Sequence, residues 1–271
     1  MIKKFNFVLC ICIFLLACSL FMIGCDEVES DIYADNGLEY VVNSDGVTCT
    51  IVGIGKCTDT VVTVPEFIKE YRVSAIGDEA FCAGKYQICA DIIEIILPEG
   101  LKTIGNSSFE ICDKLAKINI PSTVTDIGEK AFERCTSLKC LSLPEGIREI
   151  KAHTFMGCTS LVSFTVPESV EIIGASAFLG CTSLESITLP DALKEIGESA
   201  FHLSGIRSVG IGSGVSTIGM MAFMQCENLT DVYYRGTLAE LKSITTNGGW
   251  IDGKETVHCS DTDISASDLY N

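Results

Sequence analysis

The chain has 271 residues and a formal charge of −17, and that much negative charge repels nucleic acid and anionic lipid headgroups. Apolar residues make up 47% and only six residues are proline, which gives enough material for a long core and excludes a disordered low-complexity chain. Length alone allows one large domain or two small ones.

The N-terminus reads as an address. Lys3 and Lys4 precede an uncharged apolar run that ends Met22-Ile23-Gly24-Cys25, the layout of a secretory signal peptide. Its end resembles the lipobox of bacterial lipoproteins, although Met22 stands where leucine is usual. The resemblance implies cleavage before Cys25 and a diacylglycerol on its sulfur. Two acyl chains hold a protein on a membrane where one binds only marginally. Removal of residues 1–24 leaves a chain of charge −19. Six acids follow between Asp26 and Glu39, with no lysine or arginine before Lys56. Residues 25–36 are therefore expected to form a solvated acidic tether.

Beyond the tether the sequence repeats. The prolines fall at Pro65, Pro98, Pro121, Pro144, Pro167 and Pro190, with the last four steps each 23 residues and the first 33. About ten residues are thus inserted near positions 83–90. Phenylalanines follow the same beat at Phe81, Phe109, Phe132, Phe155, Phe178, Phe201 and Phe223. A fixed period of this size means a solenoid. One unit reads LESITLPDALKEIGESAF, from Leu184 to Phe201. Its alternating apolar residues predict a short strand, and the proline, lacking a donor, closes it. The recurrent glycine after isoleucine (Gly77, Gly105, Gly128, Gly174, Gly197, Gly219) predicts a turn that needs positive φ or close backbone approach. Lys151 breaks that column and predicts a strained or altered turn.

No coil of this kind stands alone. Its six or so large apolar side chains contribute roughly 2 kcal/mol each when buried. Fixing its backbone costs roughly 1–2 kcal/mol per residue. Neighbours must share core and hydrogen bonds.

The joint recurrence of I-P, I-G and A-F-x-x-C resembles the BspA-like branch of leucine-rich repeats, known from bacterial surface proteins. The resemblance spans residues 36–259 and implies a leucine-rich-repeat solenoid, mainly β with short turns and 3-10 pieces, of about seven coils. It places an N-terminal cap at 37–75, the solenoid at 76–232, and a C-terminal cap and tail at 233–271. Within the caps a hairpin is expected over Leu38–Val52, turning at Asn43–Gly46, and a helix over Leu238–Ile244. The penultimate unit departs: it is one residue short after Phe201, and Gly212 replaces the proline.

Three columns carry whatever chemistry the repeat offers. Cys112, Cys135, Cys158, Cys181 and Cys226 each lie three residues after a repeat phenylalanine. They are expected to stack as buried thiols bonded weakly to carbonyls, since a linear stack does not converge as a zinc site requires. The oxidation state of Cys49, Cys57, Cys82, Cys89, Cys140 and Cys259 stays open, with a Cys49–Cys57 disulfide one alternative. Glu145, Glu168 and Asp191 follow successive prolines; they form a solvated rim or, less favourably, a cation or basic-partner site, because calcium wants six or more oxygens. The third column pair points outward from the strands: Lys117, Ser163, Ser186, Ser208 and Asp231, beside Asn119, Ser142, Thr165, Thr188 and Tyr233. In leucine-rich repeats this sheet lines the concave face, so these ten residues are the candidate binding face.

No G-x-S-x-G, H-E-x-x-H or phosphate loop occurs, and the three histidines lack a nucleophile at a recognised spacing. The expectation is a binding protein and not an enzyme: monomeric, without cofactor, anchored through lipid on Cys25. Its partner would be a host or bacterial surface protein or a glycan. An envelope scaffold without soluble ligand is the alternative, and a polysaccharide-degrading enzyme a more distant one.

Overall fold

The computed structural model describes residues 32–35 and 37–270. The signal peptide and Cys25 lie outside the described residues. The chain winds as a solenoid with two strand ladders and a third side made of turns. The first ladder carries nine parallel rungs, from Val61–Thr63 through Ser186–Thr188 to Thr256–His258. The second runs from Thr48–Gly53 and Tyr71–Ile76 through two-residue strands such as Ile172–Ile173 to Thr245–Thr246.

The count of nine corrects the expected seven. Seven coils carry the repeat phenylalanine. Two further rungs, Asp231–Tyr234 and Thr256–His258, follow without it. The first of these is closed by the helix Leu238–Ser243 and by Trp250, which meets Phe223 edge-on at 5.9 Å and ends the aromatic column. That helix begins with a capping box between Thr237 and Glu240, which satisfies backbone donors that a short helix leaves unpaired. At the other end, Leu38–Val42 and Thr48–Gly53 form the expected hairpin. The ordered body starts earlier than the predicted tether boundary, because Tyr33–Asp35 pairs antiparallel with Leu38–Val42. The ten-residue insertion holds the 3-10 helix Gln87–Asp91.

The core is one continuous file. All seven repeat phenylalanines are fully buried. Successive rings stack 5.0–5.5 Å apart from Phe81 to Phe223. Beside them the cysteine column behaves as expected: each thiol donates to the carbonyl of the preceding coil's phenylalanine, as Cys158 Sγ does to Phe132 O at 3.2 Å. Burial pushes the Cys158 thiol up to about 12, so it stays protonated and unreactive. Ser204 fills the rung that lacks cysteine and sits 3.2 Å from Cys226 Sγ. All eleven cysteines among the described residues are free thiols, Cys49 and Cys57 included.

The repeated glycines serve close approach, not positive φ. A Cβ on Gly128 would lie 2.4 Å from Asn106 N, and one on Gly219 2.4 Å from Glu198 N. The left-handed residue falls two positions later, on non-glycines such as Lys130, His153 and Ser176. Their amides bond to the next coil, as Lys130 N does to Ala152 O at 3.1 Å, which supports a conformation that costs on the order of 1–2 kcal/mol per residue.

Lys151 has a normal φ sign, so of the strained or altered turn expected there the strain of a left-handed residue is absent. Instead the ladders part. Gly174 N bonds to Ile150 O at 2.7 Å and Gly128 N to Ile104 O at 2.8 Å, but among the described residues no such bond joins Lys151 to Ile127. The second ladder is interrupted between Asp126–Ile127 and Glu149–Ile150, and the first between Lys117–Ile118 and Cys140–Ser142. Lys151 Nζ bridges the gap to Asp126 at 2.7 Å. Across this seam only the third side keeps its backbone bonds, with Phe132 N to Thr154 O at 2.9 Å and Arg134 N to Met156 O at 2.7 Å.

Candidate functional site

The first ladder builds the candidate site because its side chains alternate strictly between core and solvent. In Ser163–Thr165 and Ser186–Thr188 the central residue is buried and both hydroxyls face outward. The register lines up Cys140 with Ser163, Ser142 with Thr165, Ser186 with Ser208, and Ser208 with Asp231. Lys117 stands beside Glu94 in the same ladder, its Nζ 2.6 Å from Glu94 Oε1. Asn119 is not free for a ligand, since its side chain exchanges two hydrogen bonds with the backbone of Leu97.

Besides the interruption between Lys117–Ile118 and Cys140–Ser142, two features break this even surface. The ladder is unbonded between Ser163–Thr165 and Ser186–Thr188, and a groove opens there, lined by Val162, Ser163, Phe164, Thr165, Ser186 and Thr188. Three rungs on, the face ends in an aromatic pair. Tyr233 is 50% exposed, and its ring stacks on that of His258 at 4.7 Å with an interplanar angle of 13°. His258 Nε2 is 2.8 Å from Asp231 Oδ1, and Nδ1 is 3.0 Å from Asp263 Oδ1. The hydrogen bond to Asp231 raises the His258 pKa, burial opposes it, and Asp263 adds to the rise. The same bond, with that from Thr230, lowers the Asp231 pKa.

This clasp ties the last hairpin, Thr256–His258 with Asp263–Ser265, to the ladder. A raised folded-state pKa means that the histidine's contribution is full below its unfolded pKa and lost as pH rises through the folded one. Amide exchange in the hairpin should therefore quicken as pH climbs past that value, after correction for intrinsic exchange. His258→Gln should remove the dependence. An unchanged protection pattern on both sides of the histidine titration, followed by NMR, would contradict the clasp.

Sequence reasoning placed Asp231 and Tyr233 on this face but missed His258, Asp263 and Thr256. Tyr233 to His258 is a step of 25 residues, outside the period, so the column could not be continued by counting. The predicted rim lies elsewhere. Glu145, Glu168 and Asp191 are exposed, and Asp191 is 2.9 Å from Arg235 Nη1. Among the described residues no three His, Cys, Asp or Glu side chains group to hold a metal ion, and no helix is long and apolar enough to cross a membrane.

Coils of this length, with one ladder facing solvent and a stacked phenylalanine file inside, define a leucine-rich-repeat solenoid. The family model for the BspA-type leucine-rich-repeat region matches six copies over residues 64–171 and 148–247, and the chain belongs to that family. Among solved structures it is similar to the T. pallidum leucine-rich repeat protein, with 22% identity over 82% of this chain and 99% of that one and a TM-score of 0.52. It is also similar to a leucine-rich cell surface protein from Faecalibacterium prausnitzii, with 19% identity over 86% and 95% and a TM-score of 0.37. A leucine-rich repeat protein from Bacteroides ovatus shows 21% identity over 85% and 79% and a TM-score of 0.40. No curated protein matches significantly.

Proposed function

We propose that this chain is a bacterial surface protein, anchored by lipid on Cys25, that binds a protein or glycan partner through the face of the first ladder. The observation that carries the reading is the grooved hydroxyl surface ending in the half-exposed Tyr233. Among the described residues no side chain hydrogen-bonds the hydroxyls of Ser163, Thr165, Ser186, Thr188 or Tyr233, so they are available to a ligand. Family membership supports a surface repeat protein, and the acidic charge turns it away from nucleic acid. Rigid strands hold such a face without an ordering cost at binding. The protein acts as a monomer and needs no cofactor.

The full chain, held in sugar-free detergent micelles, should be retained saturably on some member of an array of matrix proteins and surface glycans. Uniformly absent retention across a broad array would count against binding and for an envelope scaffold. In the producing cell a labelled fatty acid should enter the wild type and not Cys25→Ser; equal labelling of both would remove the anchor.

A further inference from the structure

The aromatic end of the face contains a gap of one side chain. Gly210 pairs with Tyr233 on one side and with Thr188 on the other. Tyr233 in turn pairs with His258, and the two rings are nearly parallel and one rung apart. One face of the Tyr233 ring is thus covered by His258, and the other is turned toward the rung of Gly210, where no side chain stands.

Glycine at 210 is not demanded by the backbone. Its φ is not in the left-handed region, and a Cβ there would meet Thr188 Cγ2 at 3.6 Å, an ordinary contact. This sets it apart from Gly128 or Gly219, where a Cβ would strike backbone. Glycine also weakens a strand, having no side chain to pack and more freedom to lose. The gap therefore has a cost and no packing reason. Its thickness is one rung, roughly 4.8 Å. The 4.7 Å between Tyr233 and His258 shows that a single ring fills such a space.

The surroundings select the ring's chemistry. Ser186, Ser208 and Thr188 border the gap with hydroxyls, which can serve as donors or acceptors around a ring's edge. The charges nearby are engaged with one another and sum to a net negative. Arg207 faces Glu185 at 3.9 Å, and the single charge His258 can carry stands between the two carboxylates of Asp231 and Asp263. These surroundings and the strongly negative chain repel anionic groups. A flat apolar face flanked by neutral hydroxyls suits a ring with C–H bonds on its face and hydroxyls at its rim.

We propose that the notch at Gly210 is a subsite for one neutral pyranose ring, stacked on Tyr233, with the rest of a neutral glycan running over Ser186 and Thr188 toward the groove at Ser163. The subsite rests on the reading of the first ladder as the binding face and narrows its partner to uncharged sugars.

The test titrates neutral methyl pyranosides and their oligosaccharides into the full chain in sugar-free micelles, read by saturation-transfer NMR. Gly210→Val fills the notch with a residue that favours strands; Tyr233→Ala removes the platform; Tyr233→Phe keeps the ring. Binding should weaken at least about tenfold in the first two, the scale of losing an aromatic anchor, and stay within about threefold in the third. Thermal melts of each variant check that the fold is intact. A Gly210→Val protein that melts like wild type yet binds sugar equally well overturns the notch. So does a wild type that binds no neutral sugar but holds an arginine-rich or aromatic peptide on Ser163 and Ser186; in that case the binding-face reading survives. Sugar binding indifferent to Tyr233, Gly210, Ser163 and Ser186 alike overturns both.

Discussion

Phe155→Ala lowers the stability of the chain by about 3–5 kcal/mol, the range for an aromatic deleted from a core that cannot collapse around the hole. Phe155 is fully buried and touches Phe132 at 5.5 Å, Phe178 at 5.3 Å and Phe164 at 5.0 Å between ring centroids. Its neighbours cannot move in to fill the space, because each coil is held by backbone bonds such as Phe155 N to Ala177 O at 2.8 Å. Phe155 also lies on the seam at Lys151, where both ladders are parted and the third side alone keeps backbone bonds between the coils. Repeat proteins hold together through nearest-neighbour interfaces. The variant should therefore unfold in two steps in urea, as the coils before and after the seam lose their coupling. A single transition displaced by less than about 1 kcal/mol would contradict this.

Gly128→Ala is the second large effect. Its methyl would meet Asn106 N at 2.4 Å, Gly105 C at 2.5 Å and Asn106 Cα at 2.7 Å, all backbone atoms of the adjoining coil. Overpacking of this kind costs typically about 1–3 kcal/mol. Lys151 shows the outcome the chain already tolerates once: a side chain in this column coincides with a parted ladder, offset in part by the ion pair to Asp126. Gly128→Ala should open the second ladder between Thr103–Ile104 and Asp126–Ile127, seen as faster exchange of the Gly128 amide. Lys151→Gly should do the reverse and give residue 151 a protected amide. Unchanged protection in both would show that the side chain is not what separates the coils.

Much of this was legible in the sequence, and the reason is the period. A residue repeated every 23 positions is placed in the same environment by every coil, so Phe155, Cys158 and Pro144 report their roles together. The hairpin at Asn43–Gly46 and the helix after Thr237 were legible through the caps that the family resemblance implied; the capping box that starts the helix came only with the structure. What the period could not reach was the last described rung, Thr256–His258, where His258 falls out of step, and Trp250, which takes the place of phenylalanine before it. It also could not choose between positive φ and close approach for the glycines, since both spare a Cβ. Gly210 falls in the same column as Thr165 and Thr188, and counting alone attached nothing to it. Only the stacked, half-exposed Tyr233 beside it gives that glycine a meaning.

The most direct measurement compares retention on the best array ligand for three full-length proteins: wild type, Tyr233→Ala with Ser163→Ala and Ser186→Ala, and Glu145→Gln with Glu168→Gln and Asp191→Gln. The first-ladder variant should lose binding by at least about tenfold, and the rim variant should match wild type. Binding that survives the first set of changes and vanishes with the second would place the partner on the rim and contradict the account.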